Sequence, residues 1–229
     1  KIPFHLHVSE QEKEVKDIQV AYGAKPVEWL LKNADINSRW CLIHATHMTN
    51  WETQALANSG AVAGLCPITE ANLGDGIFNG RKFLEADGSF GVGSDSNVNI
   101  SLAEELRTLE YSQRLRDRHR AILATPEASC GRRLFDAARA GGARALGREA
   151  GAIKAGNWAD MLALDAASVH LEGLEGDTLL DAWIFAGDDR LVTDVWAAGR
   201  HVVKAGRHVR RDEIEARYRR AMNVLRECL

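Results

Sequence analysis

His7 and Glu10 are the first residues of this chain that could do chemistry together. They lie in the run Phe4-His5-Leu6-His7-Val8-Ser9-Glu10-Gln11. Histidines alternate with apolar residues there, so the run reads as a buried strand that turns into a polar helix from Glu12. Two further apolar runs end in the same kinds of residue: Trp40-Cys41-Leu42-Ile43 in His44, and Phe90-Gly91-Val92-Gly93 in Ser94-Asp95. Neutral imidazole plus carboxylate, with a position left open for water, is a donor set for a divalent metal. Zn²⁺ is the first choice and iron also fits. Zinc brings the pKa of a bound water down to about 7, which makes hydroxide available near neutrality. Taken singly, each histidine reads more simply as a satisfied core residue, and Asp95 as a helix N-cap. Three strand ends carrying these residue types favour a site.

The elements that must position these residues alternate between strand and helix. After the first strand, helical spacing over Glu12–Tyr22 puts Val15, Ile18 and Tyr22 on one face, and a second short helix covers Val27–Lys32. Trp40–His44 reads as a fully buried parallel strand. Asn50 caps an expected helix over Trp51–Asn58. The third strand is Ala61–Cys66, and a glycine-bearing loop, Thr69–Gly76, follows it. A helix near Gly80–Glu85 leads to the fourth strand, Phe90–Asp95. Four such units make half of an α/β (β/α)8 barrel, with the polar residues at the C-terminal strand ends where such barrels place their chemistry. Long helices are expected over Leu102–Arg120 and Pro126–Leu146, then β-like runs over Met161–Leu164 and Val192–Val203, and an amphipathic helix over Ile214–Leu225. The expected domains are the half-barrel with its trailing helices over 1–150, a β-sandwich portion over 151–206 and a C-terminal helix over 207–229.

Weaker signals surround the main set. His5 and His47 read as structural or supporting neighbours. Glu70 and Asn72, in the expected loop, are candidates for substrate contact or for turn formation. Arg114, Arg116, Arg118 and Arg120 form a basic stripe, read as solvated or subunit-facing. His119, His170, His201 and His208 have no partners by spacing. With 45% hydrophobic residues and a formal charge of -3, the chain gives no sign of nucleic acid as a partner. It has no apolar run of about 18 residues that could span a membrane. The four scattered cysteines suit a reduced, cytoplasmic protein. The opening Lys1-Ile2-Pro3-Phe4, running straight into a strand, leads us to expect that an N-terminal part belongs with this chain.

Taken together, these motifs resemble the deaminase branch of the amidohydrolase superfamily. The likeness rests on His7-x-x-Glu10, the strand ending in His44, the Ser94-Asp95 strand end and Gly156-Asn157-Trp158-Ala159-Asp160. Thr69-Glu70-Ala71-Asn72-Leu73-Gly74-Asp75-Gly76-Ile77-Phe78 and the Glu104–Arg118 region resemble the formimidoylglutamate deiminases in particular. Purine and pterin deaminases tend to carry Ser-Asn where this chain has Thr69-Glu70. The resemblance covers only the second half of that family's proteins, and the His-x-His of their first barrel strand has no counterpart here. Asn97 stands where a histidine is expected.

The resemblance implies hydrolytic deamination of N-formimino-L-glutamate to N-formyl-L-glutamate and ammonia in histidine degradation. It implies His7 and Asp95 as metal ligands, Asp95 as acceptor of a proton from the attacking water, His44 as a hydrogen-bonding partner of that water, and Glu10 as proton shuttle. It also implies a homodimer, a small-molecule substrate and a need for the N-terminal half of the same protein. The alternatives are a deaminase of a purine or related ring, and a non-catalytic complementing fragment.

Overall fold

The computed structural model describes residues 2–228. Its first half is a parallel sheet of β1 (Phe4–Val8), β2 (Trp40–His44), β3 (Val62–Leu65) and β4 (Ser89–Val92), in the order β1-β2-β3-β4. Between the strands run α1 (Glu12–Tyr22), α2 (Pro26–Asn33), α3 (Asn50–Ser59), α4 (Pro67–Leu73) and α5 (Gly80–Glu85). The strands pair in parallel in chain order, so each connection is a helical crossover that packs against the sheet. Leu42, Ala63, Leu65 and Phe90 from the sheet join Leu56, Phe83, Leu106 and Leu134 from the helices in one core.

Beyond β4 come α6 (Leu102–Asp117) and α7 (Cys130–Ala145). Helix α7 lies against β4 with almost no side-chain spacing. A Cβ added at Gly141 would fall 1.9 Å from the Phe90 carbonyl oxygen, and one at Gly91 would fall 3.0 Å from Gly142 Cα. The C-terminal end of α7 ties the sheet together from below: Arg144 donates to Ser89 Oγ at 3.0 Å and to the Gly60 carbonyl, and His5 Nε2–H donates to the Ala145 carbonyl at 2.8 Å. His5 therefore has the structural role expected of it.

A second, antiparallel sheet comprises β5 (Met161–Leu164), β6 (Val192–Ala197), β7 (Arg200–Lys204) and β8 (Arg207–His208), in chain order. Between β5 and β6, α8 (Gly176–Asp181) and a π-helical turn at Ala182–Ala186 bring Leu180, Trp183 and Ile184 into the main core. Asp181 secures this docking by accepting from Ser129 Oγ and the Gly131 amide at the start of α7. The last helix, α9 (Arg211–Glu227), buries none of its residues.

Several sequence expectations are corrected. The run Thr69–Gly76 is mostly helix α4, because Pro67 presets the first turn and Gly74, at φ 74°, ends it. The cap of α3 is Thr49, whose hydroxyl accepts from the Glu52 amide in a reciprocal capping box. Asn50 is already the first helical residue. The strand β1 is an edge strand, with Phe4 49% and Leu6 37% exposed, and Tyr22 of α1 is exposed too. The helices α6 and α7 are shorter than their charged flanks suggested, spanning Leu102–Asp117 and Cys130–Ala145.

Helix α6 also differs in character. Its polar residues are structural: Glu110 accepts from the Ile122 and Leu123 amides and pairs with Arg114 at 2.6 Å, while Gln113 donates to the Phe78 carbonyl. Arg107 donates to the Ile184 and Gly187 carbonyls, which joins α6 to the π-helical turn. Arg114 and Arg116 are thus partly buried connectors, Arg116 donating to Asp117 and Asn79, whereas Arg118 and Arg120 are exposed as expected. His201 does have a partner, Asp194 at 2.7 Å across the β6–β7 hairpin, with Trp196 stacked on its ring.

Candidate active site

The C-terminal ends of the parallel strands converge around His44. Its ring is fully buried. Nε2 lies 3.6 Å from Glu10 Oε1 and 3.8 Å from Asp95 Oδ2, and Nδ1 lies 3.3 Å from Glu70 Oε1. His7 is exposed, and its ring centroid is 5.5 Å from that of His44. Four of the six residues singled out from the sequence, Glu10, His44, Glu70 and Asp95, thus make one contiguous polar cluster, with His7 beside it. Asn72 is exposed on α4 and touches none of them through any described hydrogen bond.

Local backbone conformation aims these groups. Ser9, His44, Ala45 and Asp95 all adopt the left-handed region, at φ 52°, 66°, 51° and 54°. Such conformations cost non-glycine residues about 1–3 kcal/mol each and persist only where the surroundings enforce them. Glu14 supplies part of that enforcement, one turn into α1. Its two carboxylate oxygens accept from the Ser9 and Glu10 amides at 2.7 and 2.8 Å. The corners of neighbouring strands are also joined: the Ala45 amide donates to the Val8 carbonyl, and the His47 amide to the Ser9 carbonyl. Thr69 Oγ1 donates to the Ser94 carbonyl at 3.0 Å, holding the turn that carries Asp95. Asp95 Oδ1 accepts from the Ser96 amide, and Oδ2 is the oxygen facing His44. Asp95 is not a helix cap; the next helix, α6, is capped by Ser101.

The electrostatics follow from burial among carboxylates. Burial alone would lower the His44 pKa, but the Glu70 hydrogen bond and the charges of Glu10, Glu70 and Asp95 outweigh it, and the imidazole is held above its ordinary value. Glu105 from α6 accepts from the Ile68 amide with Oε2, while its Oε1 is buried without a partner among the described residues. Burial pushes its carboxyl up to about 7, and the nearby charges of Glu70, Glu104 and Asp95 add to the effect. The α4 N-terminus lies between two buried acids, Glu70 on the Cys66 amide and Glu105 on the Ile68 amide, which is where the helix dipole favours negative charge.

Sequence reasoning missed three members of this neighbourhood. Cys66 Sγ lies within 4.8 Å of ligating atoms of both His44 and Asp95, so these three residues could hold a metal ion. The signal was available, since Cys66 sits at the end of β3 immediately before Pro67, a strand-end position like His44. Burial holds its thiol well above the usual range. Glu14 and Glu105 gave no sequence signal, since a charged residue in a helix reads as solvated until its partner is seen.

Comparison with known proteins places these observations among relatives. Residues 1–202 match the amidohydrolase family. Over 208 residues the chain is 53% identical to formimidoylglutamate deiminase of Pseudomonas aeruginosa, covering 90% of this chain and 46% of that protein. The crystal structure of an amidohydrolase from Brucella melitensis superposes with a TM-score of 0.92 at 51% identity, over 98% of this chain and 49% of the other. An adenosine deaminase from Xanthomonas campestris with bound zinc superposes with a TM-score of 0.86 at 26% identity, over 98% of this chain and 51% of the other. The chain spans about half the length of the relatives it matches.

Proposed function

Because the chain belongs to the amidohydrolase family, we propose that it is part of a metal-dependent hydrolase that converts N-formimino-L-glutamate to N-formyl-L-glutamate and ammonia. The observation that carries the substrate is the 53% identity to the formimidoylglutamate deiminase of Pseudomonas aeruginosa over 208 residues, together with the Thr69–Phe78 run. In this reading β1–β4 are the second half of a (β/α)8 barrel over 1–150. Residues 151–206 contribute to a β-sandwich whose last strand, β8, runs on to His208, and α9 over Arg211–Glu227 is the terminal helix. The remaining length of the relatives corresponds to the N-terminal half, which completes the barrel in a cytoplasmic homodimer.

The residues present fit a divalent cation. Among the described residues His44 Nε2 is buried with no hydrogen-bond partner, the surrounding donors are imidazole and carboxylate, and Asp95 directs its Oδ2 into the cluster. His7 and Asp95 are the residues that would hold the ion from this half; zinc suits such a set, and iron is the second choice. When bound, the ion supplies Lewis acidity and makes hydroxide available near pH 7.

The chain's own residues do the rest. Water adds to the formimino carbon, and Asp95 accepts its proton. His44 Nε2 hydrogen-bonds the attacking oxygen. Glu10, beside it, relays the proton taken by Asp95 to the imino nitrogen, giving a tetrahedral carbon that bears OH and NH2. It then carries the hydroxyl proton to the same nitrogen as the C=O bond forms. Both protons of the water thus end on nitrogen, and the C–N bond breaks with release of neutral ammonia. Glu70 and Asn72 were candidates for substrate contact; burial of Glu70 against His44 favours a supporting role for it, and Asn72 is exposed.

A second reading, deamination of a purine or related ring, draws on the adenosine deaminase likeness. Ammonia release by the full-length protein, measured with N-formimino-L-glutamate and with adenosine-type rings, decides between them. Faster turnover of a ring substrate would displace the first reading.

A further inference from the structure

We propose that Glu70 is a positioning residue that fixes the tautomer of His44, holding the proton on Nδ1 so that Nε2 faces the reacting atoms as an acceptor. The inference rests on the functional reading above only for what Nε2 does; the tautomer itself follows from the packing.

A carboxylate can only accept hydrogen bonds. Glu70 Oε1 accepts from the Cys66 amide at 3.1 Å, which anchors it from the backbone. The same oxygen lies 3.3 Å from His44 Nδ1. Both side chains are at least nine-tenths buried, His44 at 0% and Glu70 at 4% exposure, so water does not compete for this contact. The proton of a neutral His44 ring therefore belongs on Nδ1. Nε2, with no hydrogen-bond partner of its own among the described residues, keeps its lone pair pointing between Glu10 and Asp95. The opposite tautomer would set the Nδ1 lone pair against Glu70 Oε1 at 3.3 Å, a hydrogen-bond distance, whereas Nε2 meets Glu10 and Asp95 only at 3.6 and 3.8 Å, beyond it.

Helix α4 is built to deliver this contact. Pro67 starts the helix directly after β3, and Glu70 comes round one turn later to the side of the β2 end. Its neighbour Thr69 holds the Ser94 carbonyl next to Asp95. Two successive residues of one short helix thus control two strand ends: Thr69 the backbone before Asp95, and Glu70 the ring of His44. Partners that orient metal-ligating histidines change activity by about 10–100-fold when removed, and a range of that order is expected for a histidine that meets the attacking oxygen.

The test uses the full-length protein with ¹⁵N-labelled histidine. NMR of the wild type at alkaline pH should show the His44 proton on Nδ1, with Nε2 unprotonated. In E70A the tautomer should shift or become mixed, and kcat on N-formimino-L-glutamate should fall about 10–100-fold with KM and bound metal nearly unchanged. E70Q should restore most of the loss, because its amide oxygen can accept from both the Cys66 amide and Nδ1–H. A wild-type ring protonated on Nε2 overturns the proposal, as does an E70A protein that keeps both the wild-type tautomer and the wild-type rate. If E70A fails to fold, the wild-type spectrum and E70Q still decide it. If the wild type does not hydrolyse N-formimino-L-glutamate, the functional reading falls, while the spectrum still judges the tautomer.

Discussion

Glu10 lies 3.6 Å from His44 Nε2, and its backbone amide is gripped by Glu14. Its position is thus set through the main chain, and replacing its side chain should leave the surrounding geometry intact. In the full-length protein, Glu10→Gln should retain its metal and lose about 10²–10⁴-fold in kcat, the range for a positioned acid–base group. Elemental analysis beside steady-state kinetics checks this; loss of metal in parallel with activity would make Glu10 a ligand instead. Glu105 carries a separate expectation about pH. Its folded carboxyl is pushed up to about 7 from an ordinary 4.5. Below pH 4.5 both folded and unfolded forms are protonated and the group is neutral in its effect. Between 4.5 and about 7 the unfolded state releases the proton more readily, so stability falls as pH rises, and above 7 the loss is complete. Glu105→Gln, which keeps an acceptor for the Ile68 amide, should lose less Tm than the wild type between pH 5 and pH 8. The gap is a few kcal/mol at most, since one unit corresponds to about 1.4 kcal/mol. Identical pH slopes in thermal melts would show that the carboxyl is not held protonated.

At the scale of elements, the contact between α7 and β4 is the least tolerant part of the fold. A methyl at Gly141 meets the backbone of Phe90, which has no flexible side chain to move aside. Gly141→Ala should therefore destabilise by about 1–3 kcal/mol or more, the range for overpacking. Gly142, whose added Cβ would meet nothing within 4 Å, is the matched control and should accept alanine with little change in denaturation midpoint. The strand–helix order was legible because β2 and β4 are continuous apolar runs and the charged helices are long. The polar strand ends His7, Glu10, His44 and Asp95 were legible because carboxylate and imidazole stand out where an apolar run stops. Helix α4 was not. Pro67 and Gly74 mark its ends in the sequence, but Thr69, Asn72 and the Gly74-Asp75-Gly76 run after them read as turn chemistry, and the acid that satisfies the Ile68 amide, Glu105, lies 37 residues away from it. The polar wiring of α6 was hidden for the same reason, because a buried arginine and a solvated one look alike until the carbonyls they reach are known.

For the whole molecule, the parallel sheet ends at β1 on one side and β4 on the other. An unpaired strand edge invites association with another chain. Residues 1–229 expressed alone should therefore associate and show little or no deiminase activity, and co-expression with the rest of the relatives' length should restore both a defined size and turnover. Size-exclusion chromatography and the ammonia assay test this together; a monomeric, active 229-residue chain would refute it. The two edges are not equivalent, however. Backbone contact with α7 clamps β4, while β1 has Phe4 and Leu6 uncovered. Deuterium should accordingly enter the amides of β1 long before those of β3 and β4, a gradient running across a single sheet. Asp95 follows the slow side, whereas His7 and Glu10 sit on the fast side. On gentle heating of the 229-residue chain the cluster would come apart from one flank, with His7 and Glu10 drifting from a His44–Asp95 pair that is still in register.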